Sequence, residues 1–172
     1  MKEVLRMIEE SHGNLLEADV DAIVNTVNTV GVMGKGIALQ FKRAHPDNYR
    51  AYREACGRGD VQLGRMFVFD RGIIGPRRFI INFPTKAHWR SASRLDDIRV
   101  GLGDLVEVVR SLEVSSVAVP ALGCGNGGLT WGEVRPLVEA AAAAMPRVRS
   151  SCSLPRGRPH RRACPTPLRA RI

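Results

Sequence analysis

Two glycine-rich segments, each placed directly after an apolar run, constrain the fold of this 172-residue chain more than any other feature. The first, Asn25-Thr-Val-Asn28-Thr-Val-Gly31-Val-Met-Gly34-Lys35-Gly36, follows Ala22-Ile23-Val24 and opens a helical stretch. The second, Gly123-Cys124-Gly125-Asn126-Gly127-Gly128, follows Val117-Ala118-Val119-Pro120-Ala121-Leu122 and leads into Thr130-Trp131. Glycine brings backbone N–H groups close to an anion with no Cβ in the way, and a helix start adds free donors of its own. Two such loops at strand ends predict a cradle for a diphosphate.

Around the loops, strand and helix patterns alternate. Met7 to Leu16 reads as a first strand and its exit, and Ala22 to Asn28 as a buried strand. Gly36 to Ala44 is a helix with Ile37, Leu39, Gln40 and Phe41 on one face, and Pro46 restarts a second through Tyr49, Tyr52 and Ala55. Met66 to Phe69 and Arg78 to Asn82 are strands of a hairpin turning at Gly72–Pro76. Leu95, Ile98, Leu102, Leu105, Val106, Val109 and Leu112 recur at helical spacing. Val117 to Leu122 is a central strand and Trp131 to Met145 an alanine-rich helix. This alternation predicts an α/β protein with helices on both faces of a mixed sheet, and ligands at the carboxyl ends of the strands.

The net charge of +9 is unevenly placed. Of the 26 basic residues, eight are arginines within 147–172, which holds no acid, so the remaining 18 face 17 acids, a balance of +1. A closing strand is expected after Met145, and Arg147-Val148-Arg149 is a poor start to one. The domain is therefore set at residues 1–146. Residues 147–172, with Pro155, Pro159, Pro165 and Pro167, read as a basic tail. Two accounts of that tail stay open, an arm on nucleic acid or a frame-shifted end. No apolar run reaches membrane length and no signal pattern precedes Glu9-Glu10, so the default location is cytoplasmic. Cys56, Cys124, Cys152 and Cys164 form no CxxC pair and no metal-ligand spacing, so neither a disulfide framework nor a metal site is expected.

Gly13-Asn-Leu-Leu16, Asp21 to Asn28, Gly31 to Ala38, Asn82-Phe-Pro-Thr-Lys86 and Ala121 to Gly125 together resemble the macrodomain family, over roughly residues 7–145. Within it, Asn82-Phe-Pro-Thr-Lys-Ala-His-Trp-Arg90 is most similar to the DarG-type DNA ADP-ribosyl glycohydrolase antitoxins. The resemblance implies a three-layer α/β/α domain with a central mixed sheet. It further implies removal of ADP-ribose from thymidine bases of single-stranded DNA, reversing a partner ADP-ribosyltransferase toxin. No cofactor is implied.

By that resemblance Lys86 is the catalytic residue and Asn28 faces the distal ribose. The ADP-ribose contacts fall on Asn14, Leu15, Asn25, Gly34, Lys35, Gly36, Ile37, Thr85, Leu122, Gly123, Cys124, Gly125, Asn126, Gly127 and Gly128. His88, Trp89 and Arg90 are candidates for a DNA or base contact, against the plainer reading that His88 and Trp89 pack under a loop. Read from residues alone, a lysine just after a strand is as often a solvated charge as a catalyst. Asn25 and Asn28 equally suit local turn hydrogen bonds. Cys124 suits a small filler better than a nucleophile. Two departures matter. Asn14 stands where many macrodomains carry an aspartate for the adenine amine. Gly127 stands where ester-cleaving relatives carry an acid, which disfavours a lysine–aspartate mechanism. The alternatives are a non-catalytic ADP-ribose reader and a hydrolase of ADP-ribosyl esters.

Overall fold

The computed structural model describes residues 8–154. Six strands form one sheet in the order β1-β6-β5-β2-β4-β3. They are β1 (Glu9–Ser11), β2 (Ala22–Asn28), β3 (Phe67–Asp70), β4 (Phe79–Lys86), β5 (Ser116–Pro120) and β6 (Arg149–Ser153). Every neighbouring pair is parallel except β3–β4, the expected hairpin. The helices are α1 (Gly36–Ala44), α2 (Pro46–Gly57), α3 (Leu95–Ser111) and α4 (Trp131–Ala143). A 3-10 turn, Leu15–Glu17, follows β1. No described helix is long and apolar enough to cross a membrane.

Strand alternation assigns each residue to one of two helical layers. In β2, Ala22 and Val24 join Ile81, Phe83, Val117 and Val119 against Ile98, Leu105 and Val109 of α3 and Val134 and Val138 of α4. Ile23, Ile80 and Ala118 point the other way, to Phe41 of α1, and Val27 packs with Tyr52 and Ala55 of α2. Three layers result, as the sequence suggested. Helix α3 sits so close to β4 that a Cβ on Gly101 would come within 2.6 Å of the Phe83 ring. Pro84, inside β4, lies beyond the last β3 pair (Phe67 with Asn82), where no ladder needs its missing N–H.

One expectation is corrected. The domain does not end at residue 146: Arg149–Ser153 is the closing strand, paired in parallel with β1 on one side and β5 on the other. Its sequence, Arg-Ser-Ser-Cys-Ser, has no apolar alternation, which hid it. What makes it a strand is an open lane between two others, with Cys152 fully buried in the α3/α4 core and Arg149 donating from Nη2 to the Asp19 carbonyl at 2.6 Å. The rest of the expected tail, 155–172, lies outside the described residues.

Strand order reverses direction at β5/β2. From β2 the chain crosses over by α1 and α2, and from β5 by α4 on the opposite face. Loops leaving β2 and β5 therefore diverge and open a crevice at the carboxyl edge of the sheet. Both glycine segments are those loops.

A cavity across the strand ends as the candidate active site

At that edge lies a cavity of about 970 Å³. Its walls come from the segments after β1, β2, β4, β5 and β6, so it runs from Gly13 and Asn14 at one side of the sheet to Lys86 at the other. β1 and β4 stand four positions apart in the sheet, roughly 19 Å at the strand spacing. The cavity is thus long rather than round.

The first loop is held open from within. Asn28 Oδ1 accepts from the N–H groups of Val30 (3.0 Å) and Val32 (3.3 Å), and its Nδ2 donates to the Val32 carbonyl at 2.7 Å. From below, the buried Tyr52 hydroxyl donates to the Asn28 carbonyl at 2.7 Å. Asn28 lines the cavity, and its amide organises the loop through local hydrogen bonds. Gly31 at φ +81° and Gly36 at φ +57° take the left-handed backbone that the turn requires. Helix α1 then starts at Gly36 with no side-chain cap. Its first internal bond is Leu39 N to Lys35 O, which leaves the N–H groups of Gly36, Ile37 and Ala38 directed at the cavity. Helix α4 contrasts with it, because Thr130 and Glu133 close its N-terminus with a capping box.

The second loop is an internally braced turn. Cys124 N donates to Ala121 O, Gly128 N to Gly125 O and Leu129 N to Gly123 O. Its remaining lining residues, Gly123, Gly125, Asn126 and Gly127, face the cavity. A Cβ on Gly127 would collide with Ser93 Oγ and lie 2.5 Å from the Gly123 carbonyl oxygen, so an acid here has no room. Gly125, by contrast, opens onto free space.

Lys86 closes the far end. A one-residue slip between β2 and β4 passes over Thr85 and pairs Asn28 with Lys86. Lys86 Nζ donates to the carbonyls of Trp89 (3.1 Å) and Asn126 (3.3 Å). Burial and the nearby Lys35 ammonium hold its amine below the usual lysine range. Among the described residues no Asp or Glu lines the cavity. Among the described residues no group of His, Cys, Asp and Glu could hold a metal ion.

Several expected contacts are placed elsewhere. Asn25 faces the α2 layer, where its Nδ2 donates to Asn82 Oδ1 (3.1 Å), and Asn82 exchanges bonds with Asn48. Strand alternation puts Thr26 into the cavity in its stead. Leu122 is fully buried in the core, and Gly128 lies outside the lining. Cys124 packs its side chain against the α3/α4 core, and burial, with Glu133 adding to it, pushes its thiol up to about 11. It is a filler. Asn14 does line the cavity, though its Oδ1 already accepts from Leu16 N at 3.1 Å, so one lone pair remains for a ligand. Leu15, Gly34, Lys35, Ile37 and Thr85 also line the cavity. His88, Trp89 and Arg90 are exposed instead of packed under a loop, with Trp89 and Arg90 on the rim.

The lining also holds residues the sequence did not single out. Thr26, Val27, Val32, Ala38 and Gln40 come from the first loop's own elements, and Pro120 and Ala121 from the end of β5. His12 and Gly13 sit just before Asn14 and were readable from that adjacency. Ser153 and Leu154 carried no signal, because their strand was read as tail.

Comparison with known proteins places this geometry. The Macro domain family model matches residues 24–138. A DNA ADP-ribosyl glycohydrolase of Thermus aquaticus is 59% identical over 139 residues, 81% of this chain and 39% of that protein. The chain spans about two-fifths of the length of such curated relatives. Among solved structures, the macrodomain of Mycobacterium tuberculosis DarG superposes at TM-score 0.84 with 52% identity, covering 88% of this chain and 99% of that one. Thermosipho africanus DarTG in complex with ADP-ribose does so at 0.82 with 32% identity, covering 88% and 42%.

Proposed function

This chain belongs to the Macro domain family, and from that premise we propose that it is a glycohydrolase that removes ADP-ribose from thymidine bases of single-stranded DNA, reversing a partner transferase toxin. The observation that carries the proposal is Lys86, an amine with a lowered pKa at one end of a cavity that no carboxylate among the described residues lines. Glycoside hydrolysis ordinarily uses a pair of carboxylates. Here the lysine stands in for them.

The order of strand ends supports a ligand pose. Asn14 at the β1 end meets the adenine. The donors of Gly36 to Ala38 and of the Gly123–Gly127 turn take the diphosphate between β5 and β2. The distal ribose then reaches Lys86 at the β4 end. In the reaction, the bond from the anomeric carbon to the thymine nitrogen breaks with its electron pair going to the base. The neutral Nζ gives its lone pair to that carbon, and the proton it sheds as the new C–N bond forms passes to the base. A water then adds its oxygen to the carbon and returns a proton to Nζ as the C–N bond breaks, releasing ADP-ribose and restoring the neutral Lys86. The absence of room for an acid at Gly127 supports cleavage from a base rather than from a carboxyl ester.

Lys86→Ala should abolish ADP-ribose release from a thymidine-modified oligonucleotide, by at least ~10²-fold. Calorimetry should show ADP-ribose binding retained. Lys86→Arg should fail likewise, since a guanidinium stays protonated. Full turnover in Lys86→Ala removes the residue from the mechanism, and an inactive wild type that binds ADP-ribose makes the domain a reader.

A further inference from the structure

The segment joining β4 to α3 carries a feature that bond cleavage does not use. Trp89 is 42% exposed, on a chain with only two tryptophans. An indole left in water forgoes a large burial gain, and tryptophan is enriched at interfaces, where its apolar body is covered and its N–H stays wet. Two neighbours lie against the ring and still leave much of the residue in water. The His88 ring stacks on it with centroids 5.4 Å apart and planes 29° apart, and the Arg90 guanidinium lies 4.4 Å from its ring centroid.

The segment is pinned along its length. Thr29 Oγ1 donates to the Ala87 carbonyl at 2.7 Å, Arg90 N to His88 Nδ1 at 3.2 Å, and Ser93 N to the Gly127 carbonyl at 2.9 Å. Lys86 Nζ itself holds the Trp89 carbonyl. An aromatic face and a fixed cation therefore stand on the cavity rim, bonded to the amine that acts on the distal ribose. The leaving group has to sit beside them.

We propose that Trp89, framed by His88 and Arg90, is a stacking platform for the nucleobase that bears the ADP-ribose in single-stranded DNA, with Arg90 serving the adjacent phosphate. The proposal rests on the reading of the cavity as an ADP-ribose site with its distal ribose at Lys86. Stacking accepts any π-face, but in a duplex both faces of a base are already taken by its neighbours. The platform would thus make the site selective for unpaired strands without a sequence code. Trp89 is a binding residue in this account, and Lys86 keeps the chemistry.

The test uses Lys86→Gln as parent, which lacks the nucleophilic amine yet keeps an N–H donor for the Trp89 carbonyl. Two probes are titrated by calorimetry, free ADP-ribose and a single-stranded oligonucleotide carrying one ADP-ribosylated thymidine. The parent should bind the oligonucleotide more tightly than ADP-ribose, with the arginines and the platform both contributing. Adding Trp89→Ala should weaken the oligonucleotide ~5- to 150-fold, the range of one base–aromatic stack, while leaving ADP-ribose affinity within about twofold, and Trp89→Phe should keep most of the affinity. An oligonucleotide affinity unmoved by Trp89→Ala overturns the platform and leaves the cavity reading intact. Failure of the parent to bind ADP-ribose overturns the cavity reading itself.

Discussion

Lys86 shows how little of a residue's chemistry lies in its identity. Its two carbonyl partners favour the ammonium, whereas desolvation and the Lys35 charge oppose it, and the opposition prevails. In the mechanism proposed above the neutral amine is the reactive form, so kcat should rise with pH through a lysine pKa below the ordinary value. Lys35→Ala removes one of the two lowering influences, so the rising limb should move to higher pH, while Lys35→Arg should leave it in place. Rate profiles of ADP-ribose release from a modified oligonucleotide decide this, and an unmoved limb in Lys35→Ala ends the claim of coupling. Asn25 and Asn28 illustrate the same point by contrast. They are three residues apart on one strand, and alternation sends one into a buried asparagine cluster and the other to the cavity. Composition could not separate them; the direction of each Cβ does.

Most elements were legible because their patterns are local. Apolar spacing marked α3, β-branched runs marked β2 and β5, and Gly72 to Pro76 marked the hairpin. β6 was not, since its strand state comes from two neighbours and not from its own residues. A chain ending after Val148 should therefore lose an interior strand, the buried Cys152 and the Ser153 and Leu154 walls of the cavity. The loss should be at least on the order of one large buried side chain, ~3 kcal/mol, and lower Tm by ~6–12 °C. ADP-ribose affinity should fall with it. A chain ending after Leu154 should match the full chain in both. Equal melting curves for the two truncations would show β6 to be dispensable.

Across the whole molecule, charge and site separate. Residues 155–172 hold six arginines and no acid, whereas the cavity is built from residues 12–154. Removing 155–172 should weaken binding to unmodified single-stranded DNA, flatten its dependence on salt, and leave ADP-ribose affinity unchanged. Affinities measured across a salt series test this, and an unchanged slope would exclude the arginines from DNA contact. The layered α/β architecture and the two glycine loops were determined by the sequence itself. Each rests on a period or a missing Cβ that local chemistry reads directly. Only the tertiary structure decided that the loops leave adjacent strands at the β5/β2 reversal and that the β2–β4 slip sets Lys86 beside Asn28. It also decided that Ser93 fills the space an acid at 127 would need, and that Arg149–Ser153 closes the sheet. Those are relations between segments far apart in the chain, and they exist only once packing has brought the segments together.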